Sequence, residues 1–255
     1  RPDLPADPIV VHPDVRRLLL DARAFADGGR ATAMRAAFWQ SLAGGSADPA
    51  ERERAHDLLE LLTPVMKAYF TDKGFAAAND ALQVLGGHGY IRDAGLEHFV
   101  RNARIGQIYE GANGIQAMDL VARKLPAHGG RALRHFSAGV QATVALLATR
   151  PGGQPLADAL AAGLAELHAA LAALQRHARQ QPDAPGAAAY DLLTMVGILA
   201  VAWSWGDIAA LPTAGADRTG LARVWFSREL PLLAGLRARV EAGPEALCAW
   251  ADEAV

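Results

Sequence analysis

The chain has 255 residues, 51% of them hydrophobic, and its 25 Lys plus Arg against 27 Asp plus Glu leave a formal charge of -2. This is long and apolar enough for one large core or two ordinary ones, argues against general disorder, and lacks the basic excess that phosphate-backbone binding requires. Its 56 alanines and 33 leucines stand against only 29 valines, isoleucines and threonines together, a composition for helices rather than sheets.

The opening RPDLPADPIVVHPDV starts at Arg1 and reads as an extended, proline-interrupted lead into a helix, so a piece of something longer is expected. From Pro13 the apolar spacing is helical as far as Leu42, the helix either passing through or pausing at Gly28 and Gly29. GGSADPA makes a turn, and a helix starts near Pro49, kinked or divided at Pro64. Another is expected from Gly74 to Leu85, then a glycine-rich corner at 86–89, and helices from about Asp93 to Arg104 and Asn113 to Leu125. PAHGG, residues 126–130, interrupts the periodicity and suggests a boundary between domains 1–128 and 129–255. Beyond it, helices are expected at 131–148, 156–181, 189–210, 218–240 and 245–252, and short linkers favour an antiparallel bundle. The apolar run from Leu192 to Leu211 contains Trp203, Ser204, Trp205, Gly206 and Asp207, and reads as a buried helix rather than a membrane span.

Chemistry concentrates in LQVLGGHGYIRDAGLEHFVRNARIGQIYEGANGIQ, residues 82–116. Adjacent Gly86 and Gly87 expose backbone N–H groups and permit close approach by a pyrophosphate or a neighbouring chain, and Gln83 can donate or accept. No strand precedes them, so this is neither a Walker loop nor a dinucleotide fingerprint. Glu110 sits at a bend between Tyr109 and Gly111. An apolar pocket would raise its pKa into the range of a useful base, whereas an ordinary helix-entry carboxylate is the bland alternative. Cys248 is the only cysteine and the eight histidines form no HExxH spacing, so no metal site is expected. Trp203, Trp205 and Trp225 read as core residues, and Arg16, Arg17, Arg52 and Arg54 as a charged surface.

QVLGGHGY, VRNARI and IYEGANGIQ, in this order and separation, resemble the C-terminal helical domain of flavin-dependent acyl-CoA dehydrogenases. HPDVRRLLL and DKGFAAANDALQVLGG further resemble the large-subunit branch that includes 3-methylmercaptopropionyl-CoA dehydrogenase, which carries an extra C-terminal helical domain corresponding to residues from about 130 onward. The implied fold is all-α, a dehydrogenase C-terminal bundle followed by a second antiparallel bundle.

The resemblance implies that Glu110 removes the α proton of an acyl-CoA thioester while the flavin of FAD takes hydride from the β carbon. The product is then a trans-2-enoyl-CoA, and an electron-transfer flavoprotein or related acceptor reoxidises the flavin. It assigns Tyr109, Glu110 and Gly111 to the substrate, with the Glu110 N–H on the thioester carbonyl, and Gln83, Gly86, Gly87 and Gln116 to FAD across a subunit interface. Arg101 matches an arginine of structural, interface or cofactor role. Asn102 and Ala112 depart from the family's frequent aspartate and threonine, and loss of the hydroxyl at 112 removes a flavin hydrogen bond. A homo-oligomer, a cytoplasmic location, no nucleic-acid partner, and N-terminal and β domains supplied in the same precursor or by another chain are the accompanying expectations. The 255 residues alone are expected to be inactive, and a noncatalytic scaffold derived from this fold is the alternative.

Overall fold

The computed structural model describes residues 5–250, and every regular element among them is helical. Arg1 and the last two residues of the helix expected at 245–252 lie outside this range. A 3-10 turn at Ile9–Val11 leads into α1 (Pro13–Gly45), which pairs with α2 (Pro49–Val84) across a turn where the Asp48 side chain accepts from Ala50 N–H at 2.9 Å. Short α3 (Gly87–Tyr90), α4 (Leu96–Gly106) and α5 (Asn113–Asp119) follow, and α5 continues into a π turn at Leu120–Lys124. The second half comprises α6 (Arg131–Ala148), α7 (Gln154–Ala178), α8 (Ala184–Ala210), α9 (Ala216–Arg228), α10 (Leu232–Glu241) and α11 (Glu245–Cys248).

Two expected breaks are absent, the open alternative at Gly28 and Gly29 resolves to passage, and one real break lies where none is expected. α1 runs through Gly28 and Gly29, and α2 runs through both Pro64 and Gly74. Pro64 removes one helical hydrogen bond, but its ring is buried and the helix continues around it. Conversely, the single helix expected over 218–240 divides into α9 and α10 because Pro231 cannot extend a helical ladder. The corner at 86–89 contains the single turn α3. Gly86 takes φ +56°, while a Cβ on Gly89 would lie 2.2 Å from the Leu82 carbonyl oxygen, so α3 packs directly on the end of α2.

α8 is apolar around its whole circumference and is packed by helices from both halves of the chain: α1, α2, α5, α6, α7, α9 and α10. Both α7 and α8 are long and apolar enough to cross a membrane, but α8 is the core helix of the bundle, with Leu192, Met195, Leu199 and Val201 fully enclosed. Trp203, Trp205 and Trp225 are buried as expected. Gly28 on α1 seats Trp205, whose Nε1 donates to the Ala24 carbonyl at 3.0 Å, and Gly139 on α6 seats Trp203. The halves are also tied by charge. Arg35 on α1 pairs with Asp207 on α8 while stacking on Trp203 at 4.3 Å, and Arg131 on α6 grips the buried Asp57 of α2 with two nitrogens at 2.6 and 3.0 Å.

Candidate functional site

The segment singled out by sequence runs along one face: the end of α2, α3, α4, and the loop into α5. Between its two ends lies an open groove of about 900 Å³. Phe75, Leu82, Tyr90, Ile91, Val100, Ile105 and Ile108 supply its apolar walls, with Arg92, Arg101, Arg104 and Glu97 on its sides. The surrounding surface is unusually apolar, since Tyr90 is 80% exposed and Phe99 63%. Gln83, Gly86 and Gly87 are exposed at one end, and a Cβ placed on either glycine would meet nothing within 4 Å. Their backbone therefore lies open to an approaching group, unlike that of Gly89.

At the other end, the chain turns sharply after α4. Glu110 has φ +54° and Gly111 +87°, consecutive left-handed residues of which only the second is a glycine. For a residue with a Cβ this conformation is unfavourable by roughly 1–2 kcal/mol, so surrounding contacts must impose it. They do so from three directions. Gln116 Nε2 donates to the Glu110 carbonyl at 3.1 Å, and Lys67 Nζ donates to the Gly111 carbonyl at 2.6 Å and to Asn113 Oδ1 at 2.9 Å. Asn113 N–H closes the loop on the Gln107 carbonyl at 3.1 Å. Asp72 Oδ1 then accepts from Gln107 and Asn113 side chains, each at 2.7 Å, clasping both ends of the loop to α2.

One expectation changes at this point. Glu110 is not enclosed by an apolar pocket from this chain: it and its neighbours Tyr109, Gly111 and Ala112 are exposed, because their backbone projects the turn away from the core. The Glu110 carboxylate has no hydrogen-bond or ion-pair partner among the described residues and is free to engage another molecule. Gln116 gives its amide nitrogen to the loop, and a Cβ at Gly111 would sit 3.0 Å from that nitrogen. Gln83, Gly86 and Gly87 cluster on their own turn, whereas Tyr109, Glu110, Gly111 and Gln116 form a second cluster, and none of them lines the groove. Lys67, Thr71, Asp72 and Asn113 were not singled out by sequence. Lys67, Thr71 and Asp72 share one face of α2 at helical spacing, but nothing local links that face to a loop about forty residues onward.

Comparison with known proteins accounts for both halves. The family "Acyl-CoA dehydrogenase, C-terminal domain" matches residues 5–125, and "Acetyl-CoA dehydrogenase C-terminal like" matches residues 136–251. The chain belongs to the acyl-CoA dehydrogenase family. It is 40% identical over 205 residues to 3-methylmercaptopropionyl-CoA dehydrogenase of Ruegeria pomeroyi, a match covering 79% of this chain and 34% of that protein. A broad-specificity linear acyl-CoA dehydrogenase of Mycobacterium tuberculosis is 30% identical over 253 residues, covering 91% of this chain and 41% of that one. The solved structure of Caenorhabditis elegans ACDH-11 in complex with C11-CoA shares the fold, with TM-score 0.66 and 19% identity over 88% of this chain and 38% of that one. The chain thus spans between about a third and two fifths of these relatives.

Within this family setting, Ala112 bears on stability. It is the N-cap of α5, with φ -54° and ψ 153° and no side-chain cap. Ala112→Thr places a hydroxyl where it can accept from the first free N–H groups of α5, and is expected to stabilise the chain by about 0.5–1 kcal/mol. A higher denaturant midpoint at unchanged slope checks this.

Proposed function

We propose that the chain forms the C-terminal part of an FAD-dependent acyl-CoA dehydrogenase in which Glu110 takes the α proton of a thioester substrate. The observation that carries this reading is the Glu110 turn itself: a strained left-handed backbone, imposed by side chains from other helices, presenting a carboxylate with no partner of its own. The thioester carbonyl acidifies the adjacent C–H, and a free carboxylate held at the end of a rigid turn is suited to accept that proton. The Glu110 N–H is the donor assigned to the same carbonyl, where enolate-like charge builds up.

The open turn of Gln83, Gly86 and Gly87 fits a pyrophosphate approaching backbone amides, as the clear space over both glycines supports. Bound FAD supplies the acceptor for the β-carbon hydride. Gln116 acts in this reading mainly by holding Glu110, with Tyr109 and Gly111 beside the acyl group. The exposed apolar face around α3 and α4 suits burial against the remaining domains or a second subunit, and reoxidation falls to an electron-transfer flavoprotein or similar acceptor. The test is anaerobic mixing of the full-length protein with saturated acyl-CoA thioesters of graded length. Loss of oxidised-flavin absorbance is expected with at least one, and no bleaching across the series contradicts the reading.

A further inference from the structure

The second half of the chain packs on α2 and α5 through α8, and one of its side chains is hydrogen-bonded to the residues that hold the Glu110 turn. Tyr190 lies in the second turn of α8 and its hydroxyl donates to Asp72 Oδ2. The other oxygen of the same carboxylate, Oδ1, accepts Gln107 Nε2 and Asn113 Nδ2, the residues at the start and end of the loop. Asn113 is buried, and its Nδ2 also reaches the Ala68 carbonyl at 3.1 Å and Thr71 Oγ1 at 3.0 Å. Asp72 is therefore the joint between α8 and the loop. A carboxylate can rotate about its side-chain bonds, and occupying its second oxygen from α8 fixes the plane in which the first one faces the loop.

We propose that Tyr190 is a positioning residue for Glu110, by which the second helical half sets the geometry of the turn carrying the base. The proposal rests on the reading of Glu110 as the proton acceptor. Tyr190 touches no reacting atom in this scheme; it acts through Asp72, then Gln107 and Asn113, and finally the backbone of Glu110 and Gly111. Partial burial and the hydrogen bond and charge of Asp72 push the Tyr190 hydroxyl up to about 12, so it remains a donor throughout the neutral range. The arrangement gives the second half a role in the chemistry without contributing a group to the site.

Tyr190→Phe removes the hydroxyl and keeps the ring, so folding is retained. Hydrogen exchange of the 255-residue chain should then show about tenfold faster exchange in the peptide spanning 107–113, with protection in α1 and α6 unchanged. Unchanged exchange at 107–113 overturns the proposal, as does an acceleration spread evenly over all helices. In the full-length enzyme, Tyr190→Phe should lower kcat several-fold at unaltered KM, and should have no additional effect in a Glu110→Gln background. An equal loss in both backgrounds overturns positioning through Glu110. If Glu110→Gln alone leaves flavin reduction intact, the base assignment fails, while the exchange experiment still decides whether Tyr190 orders the turn.

Discussion

Replacing Glu110 with glutamine in the full-length protein is expected to slow acyl-CoA-dependent flavin reduction by about 10²–10⁴-fold, the usual range for loss of a general base. Glutamine matches glutamate in size, keeps the backbone N–H in place and cannot take up a proton. It can occupy the same turn, because the contacts that impose the left-handed conformation act on the backbone carbonyls of residues 110 and 111 rather than on the carboxylate. FAD content should remain at the native level, since Gln83, Gly86 and Gly87 lie on a different turn. Rapid-reaction absorbance measures the rate and denaturing release measures bound flavin. Loss of both together would place Glu110 in folding instead of proton transfer.

The largest expected effect on stability comes from a single methyl group. A Cβ at Gly28 would lie 2.3 Å from Trp205 Nε1 and 2.7 Å from Val201 Cγ1, both on the central helix α8. Gly28→Ala must therefore push α1 from α8 or displace the indole and stretch its buried hydrogen bond to the Ala24 carbonyl. Overpacking and an impaired buried hydrogen bond each cost about 1–3 kcal/mol, against roughly 1 kcal/mol gained in helix propensity, leaving a net loss of about 1–5 kcal/mol. For a chain of this size that lowers Tm by roughly 2–20 °C. Gly74→Ala is the informative contrast: it too replaces a glycine inside a long helix, yet its Cβ would meet nothing within 4 Å. That variant should gain about 0.5–1 kcal/mol from propensity alone. Similar behaviour of the two variants in thermal unfolding would refute the packing account.

These two glycines also show what the sequence could reveal about the fold. The helical class, the turn at 44–50 and the burial of the α8 tryptophans follow from local composition and spacing. Whether Gly28, Pro64 or Gly74 ends a helix does not, because the outcome depends on what packs against each position: Gly28 is retained as the seat of Trp205, and Pro64 is carried by burial. Pro231 lacks such support and separates α9 from α10.

At the candidate site the same division applies. Glu110, Tyr109 and the Gly86–Gly87 turn were legible because their motifs are contiguous. Lys67, Asp72 and Tyr190 were not, since they meet the loop only after α2 and α8 pack beside it, with 118 residues separating Asp72 from Tyr190. Gln116 shows the converse. Its motif position was legible, but its hydrogen bond to the Glu110 carbonyl, which supports the turn, became visible only in the folded chain.

The central claim is that Glu110 removes a proton from the carbon next to the thioester, and proton exchange tests this apart from flavin reduction. An acyl-CoA whose β carbon is replaced by sulfur retains the acidic α position but cannot surrender hydride from the β position. When it is incubated with the full-length protein in D2O, deuterium should enter the α carbon with the native enzyme, and incorporation should fall by about 10² or more with Glu110→Gln. Equal incorporation by the two proteins would contradict the assignment of Glu110 as the base.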